Sequence, residues 1–141
     1  MSTYWTDAFN RYNAAAVETG RFAAKTLVSI NGGATIAILT FAGNLPKDKA
    51  AALPGLAHAI QFFGWGVAFG TAVVCLAYLG ELMNTRHAAA YVKDPNGDHE
   101  SIATISVTLQ IAAIVCGALA LGLFGGGVCK ATAALTMLGA T

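Results

Sequence analysis

The chain has 141 residues, of which 56% are hydrophobic and only 11% are charged, and its formal net charge is +1. About a quarter of the residues in a typical soluble domain are charged, so this composition predicts an integral membrane protein. A net charge near zero, without a clustered basic face, argues against nucleic acid as a partner. The three cysteines lack metal-ligand spacing, and we expect them to pack as small residues rather than form disulfides.

Residues 1–25 predict an amphipathic N-terminal helix. Trp5, Phe9 and Tyr12 follow one another at spacings of four and three, which places an aromatic stripe on one side of a helix. Two placements fit this pattern: a solvent-side extension packed on its own bundle, or a helix lying in the lipid headgroup layer, where Trp and Tyr are favoured. No proline precedes Leu45, so this helix can continue unbroken into the first membrane span.

Three apolar stretches without charged residues predict transmembrane helices at residues 26–43, 57–80 and 102–124. The first is about 18 residues long and covers about 27 Å, near the minimum for a bilayer core. Lys25 is expected to extend its ammonium group to the membrane surface at the start of this span. Glu81, at the end of the second span, is expected to be a charge that reaches the membrane surface or caps that helix.

Residues 125–141 form an apolar tail that is too short to cross a membrane alone. We expect the tail either to continue the third helix or to return along the membrane surface. A fourth span over 121–140 is the alternative. It would place Lys130 near the middle of the bilayer at a cost of about 3 kcal/mol, so the three-span arrangement is preferred. The predicted fold is therefore an all-α membrane protein with three spans and a single domain.

Small residues on each span predict surfaces where another helix backbone can approach closely. These helix-packing positions are Gly32, Gly33, Gly43, Gly66, Gly70 and Gly117. The first two spans carry such surfaces on more than one side, which is more than a lone three-helix bundle uses. We therefore predict a homo-oligomer, or a subunit held in a larger membrane complex.

Uncharged polar residues also fall inside the predicted spans: Asn31, Thr35, Gln61, Ser106 and Gln110. One interpretation is that they form hydrogen bonds between helices and fix their register. The other is that they line a water-filled path at the centre of an oligomer, which would select weakly among ions. No acidic or basic residue lies at the middle of these three spans, which argues against a proton relay, a voltage sensor or an ion-coupled transporter.

These features predict a small oligomeric membrane protein that forms a weakly selective pore. In size and layout the chain resembles phage holins and the membrane effectors of bacterial defence systems, although its tail "TAALTMLGAT" lacks the charges with which holins commonly end. The alternative is a non-catalytic accessory or scaffold subunit. A cofactor enzyme built around His58 is a distant third, and no hydrolase elbow, P-loop or zincin motif is present, so we expect no enzymatic activity, cofactor or metal site.

The distribution of basic residues predicts the orientation. Five flank the spans on the N-terminal side, against three on the other side. They are Arg11, Arg21, Lys25, Arg86 and Lys93, against Lys47, Lys49 and Lys130. By the positive-inside rule the N-terminus is expected in the cytoplasm, and we expect a bacterial inner membrane protein.

Overall fold

The protein is a bundle of three long helices joined by short connections. The computed structural model describes residues 2–94, 97 and 100–139. Helix α1 covers Ser2–Gly43, α2 covers Leu53–Lys93 and α3 covers Glu100–Gly139, with a short 3-10 helix at Lys47–Ala52 between α1 and α2. Stretches of all three are long and apolar enough to cross a membrane: Val17–Gly43, Lys47–Ala90 and Ser101–Leu138. The predicted all-α class with three candidate spans is confirmed.

Each helix extends well beyond the span that was predicted on it. With 42 residues, α1 is about 63 Å long, roughly twice the thickness of a bilayer core. It joins the predicted N-terminal helix and the first span without a break. Helix α2 begins with Pro54 in its first turn, where proline is tolerated, and continues past Glu81 because no breaker follows. Helix α3 continues through the glycines at 125–127 to Gly139, so the apolar tail prolongs this helix.

Helix α2 is the centre of the bundle, antiparallel to both of its neighbours. Helices α1 and α3 both pack on it and touch each other little. The α2-facing residues of α3 recur at every seventh position. They are Ser106, Ala113, Ala120, Gly127 and Ala134. A seven-residue repeat is the signature of left-handed supercoiled packing, and small side chains at these positions bring the helix axes close together.

Glycine and alanine on α3 receive large side chains or backbone of α2. A Cβ atom on Gly127 would lie 2.6 Å from Cε1 of Phe63, so the phenyl ring occupies the space that glycine leaves. The same ring lies 5.7 Å from the ring of Phe124, centre to centre. At the end of α3, the ammonium group of Lys49 donates to the carbonyl oxygen of Leu138 at 3.4 Å. Bonds of this kind to carbonyl groups in the last turn of a helix stabilise the helix end.

Large apolar side chains are exposed on all three helices. Phe22 and Ile114 are each 72% exposed, and Trp65 is 64% exposed. A soluble monomer rarely exposes so many large apolar side chains, whereas lipid or further protein chains cover them readily. The three cysteines are free, and Cys75 and Cys129 lie on this outer surface.

Candidate functional site

Asn31 lies at the contact between α1 and α2 and is completely buried. Its Nδ2 donates to the carbonyl oxygen of Leu27 at 2.9 Å, one turn earlier in the same helix. Its Oδ1 receives no N–H or O–H donor from the part of the chain that the structure describes. A Cβ atom on Gly66 would lie 2.1 Å from this oxygen, so Oδ1 faces a Cα hydrogen of Gly66. Weak C–H···O contacts of this kind recur where helices pack closely.

The residues around Asn31 complete the contact between α1 and α2. Thr35 is half-buried, and its hydroxyl donates to the carbonyl oxygen of Asn31 at 2.9 Å. Gly70 lies one turn beyond Gly66, where a Cβ atom would lie 3.0 Å from Cγ2 of Val28. The Gly66–Gly70 pair is therefore the groove into which α1 packs, and Asn31 lies against α2 rather than against open space.

Gly32 and Gly117 also lie at helix contacts. A Cβ atom on Gly32 would meet Val67 of α2 at 3.9 Å, and one on Gly117 would meet Val73 of α2 at 3.8 Å. Both distances are ordinary van der Waals contacts. These two glycines therefore face α2, but neither position strictly requires the absence of a side chain.

A second polar contact joins α2 and α3 near the far end of α2. Ser106 is buried, with 2% of its surface exposed, and its hydroxyl donates to Oδ1 of Asn84. Gln110, one turn further along α3, is exposed and lies beside Gly80. Asn84 falls outside the predicted second span, and no sequence pattern linked it to Ser106.

A cleft of about 590 Å³ opens between the three helices beside this contact. Across it, the guanidinium of Arg21 in α1 donates to a carboxylate oxygen of Glu81 in α2. Asn84 and Gln110 line the same cleft. The Arg21 side chain is 60% exposed, so the pair is worth at most about 1 kcal/mol. Sequence reasoning missed this pair because the two residues become neighbours only once the register of α1 against α2 is known.

A smaller cleft of about 200 Å³ lies on the other side of Arg21, between α1 and α2. Its walls are small or apolar residues: Gly20, Ala24, Val74 and Ala77. Lys25 from α1 and Tyr78 from α2 stand at its rim, and both are exposed. The predicted boundary residues Lys25 and Glu81 thus lie on either side of Arg21 at the same end of the uncharged part of the bundle.

Other predicted residues lie on the outer surface. Gly33 and Gly43 are exposed, and a Cβ atom on either would meet nothing within 4 Å. Gln61 is exposed on α2 and makes no hydrogen bond with the described residues. The predicted polar residues therefore form two separate groups, Asn31 with Thr35 and Ser106 with Gln110, while Gln61 stands apart from both.

The predicted aromatic anchors and the histidine fall elsewhere. The side chains of Trp5, Phe9 and Tyr12 lie outside the described residues. His58 is exposed, with Nδ1 placed 2.8 Å from the carbonyl oxygen of Pro54, one turn earlier. Comparison of the chain with models of known protein families, with curated proteins and with solved structures gives no match.

Proposed function

We propose that the protein functions by self-assembly in a membrane, with α1 of one copy packed against α2 of the next. The observation that carries this proposal is a pair of outward faces, one on α1 and one on α2. Both are rich in small residues at a helical spacing, as are the contacts between helices inside the bundle. The described residues of one chain cover neither face.

The α1 outer face lies opposite Asn31 on the helix. Its members are spaced alternately by four and three residues, and all are exposed. They are Phe22, Thr26, Ser29, Gly33, Ile36 and Thr40. The hydroxyl of Thr26 donates to the carbonyl oxygen of Phe22 at 3.0 Å, so this side chain is satisfied without water. Such a face suits close contact with another helix in lipid.

The α2 outer face lies opposite Gly66. Its members repeat at the same spacing, and all are exposed. They are Ala57, Gln61, Gly64, Ala68, Thr71 and Cys75. A Cβ atom on Gly64 would meet nothing within 4 Å. The amide of Gln61 lacks a partner in the described part of the chain, and lipid supplies none, so a neighbouring chain is the natural source of one.

The two outer faces lie at the same depth, which copies sharing one orientation in a bilayer require. Because α1 and α2 are antiparallel and Asn31 lies opposite Gly66, each step forward along α1 matches one step back along α2. Gly33 is thus level with Gly64, and the same matching holds along the whole of both faces. The level pairs are Thr26 with Thr71, Ser29 with Ala68, Ile36 with Gln61 and Thr40 with Ala57. Small side chains therefore face one another on either side of the Gly33–Gly64 level without a vertical shift.

The charged residues suggest where the bilayer lies. Lys25 is level with Ala72, since Asn31 lies opposite Gly66, and Lys130 is level with Ile60, since Gly127 lies against Phe63. The two levels are about 18 Å apart along α2 at 1.5 Å per residue. Both lysine side chains can extend outward to the membrane surface, which makes the layer between their charged groups close to 30 Å thick, the thickness of a bilayer core. On this basis we infer that α3 crosses at about residues 112–133, further along the helix than the predicted span.

A weakly selective pore is the second candidate function. The hydroxyl groups of Thr26, Ser29 and Thr40 on the α1 outer face favour it, because such groups tolerate water and ions. Asn31 and Ser106, however, are buried inside one chain and are not available to line a path. A pore requires the α1 outer face to meet water, whereas self-assembly requires the same face to contact another copy, so an experiment can separate the two. In the alternative accessory role, a different membrane protein would cover these faces.

The proposal is tested by substituting the open glycines. Gly33→Leu and Gly64→Leu fill outward space and leave the contacts inside the chain intact, so each is expected to convert an oligomer in mild detergent into a monomer. Gly122→Leu is the matched control, since this exposed glycine on α3 also has open space around it and lies on neither outer face. Mass measurement in detergent gives the result. A wild-type monomer, or equal effects of all three variants, contradicts the proposal.

The pore candidate has its own test. Liposomes that contain the wild-type protein are expected to leak small ions if the hydroxyl groups of the α1 outer face meet water. Ser29→Leu then reduces the leak while the oligomer persists. An intact oligomer without any leak leaves self-assembly as the function and contradicts the pore.

We also propose a bacterial inner membrane with the N-terminus in the cytoplasm, on the excess of basic residues on that side. Cysteine labelling in whole cells tests this orientation, with a single cysteine placed at Lys47 or at Arg86. An impermeant reagent is expected to label the cysteine at 47 and not the one at 86. The reverse pattern contradicts the assignment.

A further inference from the structure

We infer that the small cleft between α1 and α2 binds the phosphodiester headgroup of an anionic phospholipid. The shape of the cleft fits such a group. Its volume of about 200 Å³ is too small for a whole lipid and is suited to a phosphate with part of the glycerol. The walls of Ala24, Val74 and Ala77 are apolar, and Lys25 and Tyr78 stand at the rim, so an amphipathic ligand fits with its phosphate outermost.

The charges at the rim are complementary to one phosphate. Arg21 and Lys25 bring two positive charges, and Glu81 neutralises the first through its ion pair. Lys25 has no carboxylate partner among the described residues, so one positive charge remains. An ammonium group and a phenolic hydroxyl both donate hydrogen bonds, and the oxygens of a phosphodiester accept them.

The level of the cleft is the level at which lipid phosphates lie. Lys25 is the last charged residue before the uncharged part of α1, and Glu81 is the first after the uncharged part of α2. Tyr78 precedes Glu81 by less than one turn, and tyrosine is enriched at the junction of lipid and water. Basic pockets between membrane helices are recognised sites for anionic headgroups. All the residues belong to one chain, so this inference does not rest on self-assembly.

Native mass spectrometry of the purified protein tests the site. Phosphatidylglycerol is added in steps, and phosphatidylcholine serves as the zwitterionic comparison. The wild type is expected to retain phosphatidylglycerol in preference. Lys25→Gln is expected to weaken its apparent Kd about fivefold, the factor that corresponds to about 1 kcal/mol per basic residue near a membrane surface. Lys25→Arg keeps the charge and is expected to retain binding, and Tyr78→Phe is expected to weaken it.

Two controls make the result decisive. Lys130→Gln removes an exposed lysine on α3 that lies far from the cleft, and it is expected to leave the Kd unchanged. Inorganic phosphate at millimolar concentration is expected not to displace the lipid, since it cannot use the apolar walls. Equal lipid binding by Lys25→Gln and the wild type overturns the inference. An equal loss in Lys130→Gln, or displacement by inorganic phosphate, also overturns it.

Discussion

Substitution of Gly66 by alanine tests how tightly α1 and α2 are joined. The new Cβ atom would lie 2.1 Å from Oδ1, 2.5 Å from Cγ and 3.0 Å from Nδ2 of Asn31. Asn31 is fully buried and cannot turn away into solvent. Either the helices separate or the amide moves and gives up its hydrogen bond to Leu27.

The expected cost follows from three contributions. Overpacking a closely packed contact costs about 1–3 kcal/mol, and the loss of a hydrogen bond costs about 1 kcal/mol. Alanine returns about 1 kcal/mol of helix propensity relative to glycine. We therefore expect Gly66→Ala to lower the free energy of unfolding by about 2 kcal/mol.

Reversible unfolding in mixed detergent micelles measures this difference, with Gly122→Ala as the control. Gly122 has open space and lies on neither outer face, so its substitution is expected to be neutral or slightly stabilising. Asn31→Ala in the Gly66→Ala background removes the clash, so the double variant should lose less stability than the sum of the single variants, with a coupling of about 1–2 kcal/mol. Equal stability of Gly66→Ala and Gly122→Ala would refute the close contact at Asn31.

Three further outcomes follow from the contacts between the helices. Arg21→Glu and Glu81→Arg should each lower the free energy of unfolding by up to about 1 kcal/mol, and the double variant should recover most of this loss. Thermal unfolding at low salt measures the difference. Ser106→Ala should cost about 1 kcal/mol and should not add to Asn84→Ala, because both remove the same hydrogen bond; additive losses would contradict it. Gly127→Val should unfold the bundle at markedly lower temperature, since a phenyl ring fills that space, and an unchanged transition would contradict this packing.

The sequence is sufficient to predict the helical class and the three spans, because hydropathy and charge report directly on what lipid permits. It also separates Asn31 from Gly33 on the helix wheel, and in the structure these residues lie on opposite sides of α1. Hydropathy left open whether the apolar tail continues α3 or returns along the membrane surface, and it did not place the end of α2 at Lys93, well beyond the apolar stretch that ends at Gly80.

The polar contacts depend on register, which hydropathy does not report. Glu81 pairs with Arg21 and Ser106 with Asn84 only because particular turns of antiparallel helices lie at the same level. From the sequence, Asn31 was expected to lie either at a contact between helices or along a water-filled path. Deciding between these two required the knowledge that Gly66 of another helix lies against it. The seven-residue repeat of small residues on α3 was a sequence signal for how α3 packs on α2. It is hard to recognise because small residues are frequent throughout this chain.

The most direct test of self-assembly is a disulfide between the two outer faces. Gly33→Cys and Gly64→Cys are placed together in a chain whose three native cysteines are replaced by alanine, and membranes are oxidised before denaturing electrophoresis. The two sites point away from each other within one chain, so the account predicts a ladder of linked dimers, trimers and larger species from the double variant alone. Cross-linking of either single variant to the same extent, or an unlinked double variant in well-expressed membranes, would contradict it.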